Sequence, residues 1–242
     1  MPPLSRLALL ALLLVASGCA TLPAARPLDP GLHEIGASMG GPVLNLGGTP
    51  LPVPLLNLQG RHGLPKLLDR PIDLTYGLNL MALPFGILQG HVGMGWMVVK
   101  QRGAAPAITV ADKQFFGTNA LGLPNKPAAV ATGWAANQLE VDISWEIRRQ
   151  VIYAGLTQYF DFGNPQLTLT PSFGASFDTS PRTDGGLKIH LDFRWYALNQ
   201  KDVYDAIRWI PRPQGSWGFG ASLSYVFGAG SNRKPTAASE ES

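Results

Sequence analysis

The groups in this chain that could do chemistry are four histidines, one cysteine and a small set of acids. His190 and Asp192 lie two residues apart, and Ser172 and Ser176 lie on the segment before them. A serine, a histidine and an acid brought together are the parts of a nucleophilic hydrolase. The Gly-x-Ser-x-Gly turn that would expose such a serine is absent. The nearest string, Gly218-Phe219-Gly220-Ala221-Ser222, sits inside an alternating run rather than at a strand-to-helix turn. His91 and His190 could share a metal, but two histidines without helical spacing make a weak ligand set. The sequence therefore predicts no enzymatic activity, no metal and no cofactor. Cys19 is the single thiol, so no disulfide forms within the chain.

Cys19 has its own context. Arg6 precedes an apolar run from Leu7 to Ala16, and Ser17 and Gly18 follow. That order reads as a secretory signal over 1–18, too short to span a bilayer as a helix. Small residues followed by cysteine resemble the lipobox of bacterial lipoproteins, although Ala16 stands where leucine is usual. The resemblance implies cleavage before Cys19 and its acylation, palmitate included. Ala20, which is not Asp, implies sorting to the outer membrane of a Gram-negative bacterium. Lipoprotein-sorting machinery and membrane lipid are then implied partners.

Only 14% of residues are charged, against about 25% in an ordinary soluble domain. Much of the surface is therefore expected not to face water. A net charge of +3 with no basic run gives no footprint for nucleic acid.

The elements that must position these groups are strands. In Leu139-Glu140-Val141-Asp142-Ile143-Ser144-Trp145-Glu146-Ile147, odd positions are apolar and even positions polar. Period-two alternation marks a strand with one apolar face and one polar face. It recurs over 72–80, 92–98, 167–177, 187–196 and 217–227. Weaker copies lie at 33–40, 55–63, 107–116 and 150–160, giving about ten strands. Asp112, Lys113 and Gln114 break the alternation of the fifth, and Pro171 predicts a bulge or bend in the eighth. Connections alternate between short turns and longer loops. In the last long loop, residues 200–210 predict a short helix with Val203, Ala206, Ile207 and Ile210 on one face.

Up-and-down strands with short turns at one end and long loops at the other resemble a bacterial outer-membrane β-barrel. The fold expected is an all-β, antiparallel, up-and-down transmembrane barrel over 32–227. A lipidated linker over 19–31 precedes it and a disordered tail over 228–242 follows. A soluble lipoprotein barrel of lipocalin type, holding an apolar ligand, would alternate in the same way with its faces reversed. Three features favour the membrane. The apolar faces carry enough residues to cross the hydrocarbon. Trp145, Trp195, Trp217, Tyr225 and Phe227 sit toward strand ends, like interfacial girdles. The polar faces of the last strands are rich in Gly, Ser and Thr, which suit a narrow lumen. Gly220, Leu223, Tyr225 and Phe227 also resemble the signal read by the barrel-assembly machinery, a further implied partner, although Phe227 is not the last residue.

On this reading Arg61, Asp73, His91, Glu140, Asp142, Glu146, Lys188, His190, Asp192 and Arg194 form a polar network in the lumen, with Glu34 and Tyr153 beside them. Opposite charges confined there must pair, because a buried unpaired ion is costly. The function expected is envelope structure or limited passage of small solutes. His33 and His62 are expected at the rim or in loops.

Overall fold

The structure is a computed structural model that describes residues 25–46, 49–52, 55–119, 133–162, 167–179, 185–200, 207–209 and 215–228. The signal segment 1–18, Cys19 and the tail beyond Gly228 lie outside these residues.

Ten antiparallel strands close into a barrel. In chain order the strands are β1 (Leu32–Gly40), β2 (Val43–Leu46), β3 (Thr49–Pro52), β4 (Leu55–Leu67), β5 (Arg70–Asn79), β6 (Ile87–Val99) and β7 (Ala107–Asn119). There follow β8 (Trp134–Ile147), β9 (Gln150–Asp161), β10 (Leu167–Asp178), β11 (Gly185–Tyr196), β12 (Ile207–Trp209) and β13 (Ser216–Gly228). All but β2, β3 and β12 belong to the barrel, and each barrel strand pairs with its neighbours in sequence. Closure comes from β1 against β13, with Leu32 opposite Gly228 and Gly40 opposite Gly220. Both barrel termini therefore lie at the end that carries the short turns.

The alternation fixes the faces. Ile35, Leu58, Tyr76, Val92, Phe116, Val141, Leu156, Phe173, Leu191 and Leu223 point outward and are exposed, one from each barrel strand. Glu34, Arg61, Asp73, His91, Lys113, Glu140, Asp142, His190, Asp192 and Arg194 point inward and are buried. The interior is thus polar and the outer surface apolar. That is the reverse of a soluble barrel enclosing an apolar ligand, and it removes the lipocalin-type reading for the described residues.

Four local features refine the sequence reading. β7 runs unbroken through Asp112, Lys113 and Gln114. Its alternation survives because Lys113 points inward and is buried, while Asp112 and Gln114 stay outside. Pro171 makes no bulge: the β9–β10 register passes through it unshifted, and the ladder to β11 begins one residue later at Ser172. The register shifts fall instead near the turn end, between Leu64 and Leu67 and between Met97 and Val99. The helix expected over 200–210 is corrected in its described part. Ile207–Trp209 is β12, paired antiparallel with β2, which pairs in turn with β3. A β-branched residue and an aromatic two positions apart suit a ladder as well as a helix face. Residues 201–206 and 210 lie outside the described residues.

Candidate functional site

The lumen is built from inward positions of all ten barrel strands, and its ionic groups fall into linked sets. At the turn end, Arg61 of β4 is the hub. Its Nε and Nη2 donate to Asp73 Oδ2 at 3.0 and 2.5 Å, and its Nη1 donates to Glu34 Oε2 at 3.2 Å. Glu34 is fully buried and accepts a hydrogen bond from Ser224 Oγ at 2.5 Å. His190 Nε2 lies 3.4 Å from the same carboxylate. In the middle of the barrel Lys113 Nζ donates to Glu140 Oε2 at 2.8 Å, both side chains almost fully enclosed. Arg194 Nε pairs with Asp192. Lys188 faces inward but is only half-buried. Glu146, near the turn-end mouth, is partly exposed and pairs with Arg26.

Arg26 introduces what the sequence reading missed. Residues 25–31, read as part of a linker, turn into the mouth of the barrel. The Ala25 carbonyl accepts hydrogen bonds from Thr109 Oγ1 at 3.0 Å and Ser144 Oγ at 3.1 Å. The Arg26 carbonyl accepts one from Arg61 Nη2 at 2.6 Å, and Leu28 N–H donates to Asp73 Oδ2 at 3.1 Å. Arg26 itself donates to Glu146 and Gln101. Ala25 and Leu28 are buried. Gly63 makes room for this segment: a Cβ there would lie 2.0 Å from the Asp29 carbonyl oxygen. The only sequence signal was the absence of a side chain at an inward position, which by itself names no neighbour.

The geometry separates pairing from catalysis. His190 stands opposite Ser176 in the β10–β11 register, but its hydrogen-bond neighbours are Ser224 and Glu34. Both lie at the same ring nitrogen, and Nδ1 has no partner among the described residues. A hydrolytic triad needs the acid at one nitrogen and the hydroxyl at the other. Asp192 is committed to Arg194 rather than to His190. His91 packs against Phe115 with the rings tilted by 33° and their centroids 5.1 Å apart. No group of three or more metal-ligating side chains occurs among the described residues.

One lumen acid differs from the rest. Neither oxygen of Asp142 has a hydrogen-bond partner among the described residues. Its carboxyl leans over Gly155 of β9, where a Cβ would lie 1.9 Å from Oδ1. Tyr153 leans in the same sense over Gly174 of β10, and its hydroxyl also lacks a partner among the described residues. The two glycines let both side chains lie against the barrel wall.

His33 and His62 sit on the outward face toward the turn end, their Nδ1 atoms 3.0 Å apart, with His33 stacked on Phe227.

No family model matches the chain, and no curated protein does. Among solved structures it is similar to the translocator domain of the autotransporter NalP from Neisseria meningitidis. The TM-score is 0.42 and the identity 7%, over 92% of this chain and 95% of that one.

Proposed function

We propose that the protein is a lipid-anchored β-barrel of the Gram-negative outer membrane. Its role is structural and non-catalytic, and its lumen is closed at the turn end by its own N-terminal segment. The observation that carries this reading is the inverted arrangement of faces. A barrel with an apolar outside and a charged inside is stable in hydrocarbon and not in water, because water rewards the opposite placement. The segment 25–31 supports the closure. It places a guanidinium, two backbone carbonyls and a backbone N–H among the inward side chains of β4, β5, β7 and β8.

The same segment supports the anchor. Cys19 stands six residues before Ala25. An extended chain of that length reaches about 20 Å, so acyl chains on Cys19 would enter the leaflet beside the turn-end rim. The turn end would then face the periplasm and the long loops the cell exterior. β13, which closes the barrel against β1, carries the residues that would be read by the barrel-assembly machinery.

Passage of small solutes is the second reading. It is favoured by the unpartnered polar atoms of Asp142 and Tyr153 along the wall. Two measurements test the proposal. Incorporation of labelled palmitate should vanish in Cys19→Ser. The Cys19→Ser protein should still need detergent for extraction. Release of that variant by high salt or carbonate would overturn the integral barrel. Unchanged labelling would overturn the lipoprotein reading.

A further inference from the structure

The outer face of the barrel carries a polar stripe at mid-depth. Asp112 and Gln114 flank the midpoint of the thirteen-residue β7, and both point outward and are exposed. Asn137 of β8 lies directly opposite Gln114, and Gln158 of β9 lies opposite Leu139, the next outward residue of β8. Asn137 Nδ2 donates to Asp112 Oδ1 at 2.5 Å, and Gln114 Nε2 lies 3.4 Å from both carboxylate oxygens. Elsewhere between the two rims, the described outward positions are apolar or glycine, apart from His33 and His62 toward the turn end. The stripe therefore interrupts an otherwise continuous apolar band.

Lipid offers this stripe nothing. A carboxylate at the depth of the acyl chains is costly, and such residues usually face another polar group. The two amides beside Asp112 lessen the cost but bring no positive charge. A second copy inserted in the same direction would present further amides and another carboxylate at that depth. Among the described residues, no lysine or arginine faces outward between the rims. The complement that is missing is a cation.

We propose that the stripe of Asp112, Gln114, Asn137 and Gln158 docks a different membrane-embedded protein, one that presents a lysine or arginine at mid-depth. Asp112 pairs with that cation, and the three amides bond polar groups flanking it. This rests on the outer-membrane reading above.

The test uses the full-length protein in its native envelope, with a photo-crosslinking residue at Leu139, which lies within the stripe. Two differently tagged copies are co-expressed. The expected product is an adduct with a different polypeptide. It should persist in Asp112→Glu and fall at least tenfold in Asp112→Leu and Asp112→Lys. Changing the partner's cation to glutamate should remove the adduct, and combining that change with Asp112→Lys should restore it. An adduct containing both tags would overturn the proposal in favour of self-association. So would lipid adducts alone, or a protein adduct indifferent to the charge at 112. The same samples are checked for a heat-modifiable folded band and for detergent-dependent extraction. Asp112→Leu, which removes a charge from the apolar face, guards against loss through misfolding. If extraction needs no detergent, the membrane reading fails; if it does and the adduct is charge-blind, only the docking surface fails.

Discussion

At the scale of the residue, burial decides which ion pairs matter. Lys113 and Glu140 are both almost fully enclosed, whereas Lys100 and Asp69 pair at 2.8 Å in the open on adjoining turns. Lys100 holds the Asp69 carboxyl below its usual range, yet water screens an exposed pair of this kind and leaves it little net effect. Lys113→Met, by contrast, leaves Glu140 buried without its cation, at a cost of about 3–5 kcal/mol. The folded band on a semi-native gel should be lost at a clearly lower temperature. The double change Lys113→Met, Glu140→Gln should recover most of that loss, because no charge then stays unpaired. Lys100→Ala should leave the transition where it was. If all three variants melt together, the lumen ions are not pairing as their distances imply.

At the scale of the element, the strands follow from alternation while the turns and the entering segment carry strain and fit. The β4–β5 turn places both Leu68 and Asp69 at positive φ, 51° and 58°, without glycine. An L-residue in that region costs roughly 1–2 kcal/mol, less for asparagine, whose side chain bonds locally. Leu68 is also largely exposed and packs little. Leu68→Asn should raise stability by about 1 kcal/mol, read from urea-dependent folding into detergent micelles; an unchanged midpoint would contradict the turn geometry. The entering segment depends on Gly63. Gly63→Ala should push Asp29 outward and loosen residues 25–31 without unfolding the ladder. Limited proteolysis should then cut the folded protein within 25–31 faster than it cuts wild type there, and conductance in planar bilayers should rise. Resistance equal to wild type would place the segment elsewhere.

At the scale of the whole molecule, the question is which side of the sheet meets the solvent. Leu139, Val141, Ile143, Ile189, Leu191 and Phe193 all lie on the outer surface. Single cysteines there, in a Cys19→Ser background, should react with membrane-soluble probes and resist aqueous ones. Val141→Arg places a cation on that surface near mid-strand and should cost about 2–4 kcal/mol in a bilayer. Near-neutrality of Val141→Arg together with ready aqueous labelling would mean that the apolar surface is covered by something other than lipid. Asp112 stands on the same surface, which is why its neighbours on β7, β8 and β9 are the place to look for a partner.

The sequence by itself determined the barrel strands, their faces and the contrast between the two ends. Those features are local: side chains alternate every residue along a strand, so each polar run marks one face of its strand, whichever way that face turns. Glu140, Asp142, His190, Asp192 and Arg194 share the polar face for that reason, and the closed barrel turns that face into the lumen. The tertiary structure decided who meets whom. Arg61 reaches Asp73 twelve residues away, Glu34 twenty-seven away, and the carbonyl of Arg26 in a segment that shows no strand period. Ser224 meets Glu34 across 190 residues because β13 closes on β1. Lys113 was obscured because Asp112 and Gln114 beside it are polar too. Only the ladders to β6 and β8 show that one of the three points inward and the other two into the apolar band. Periodicity fixes the direction of a side chain relative to its own strand. Partnership depends on register and closure, which are properties of the whole sheet.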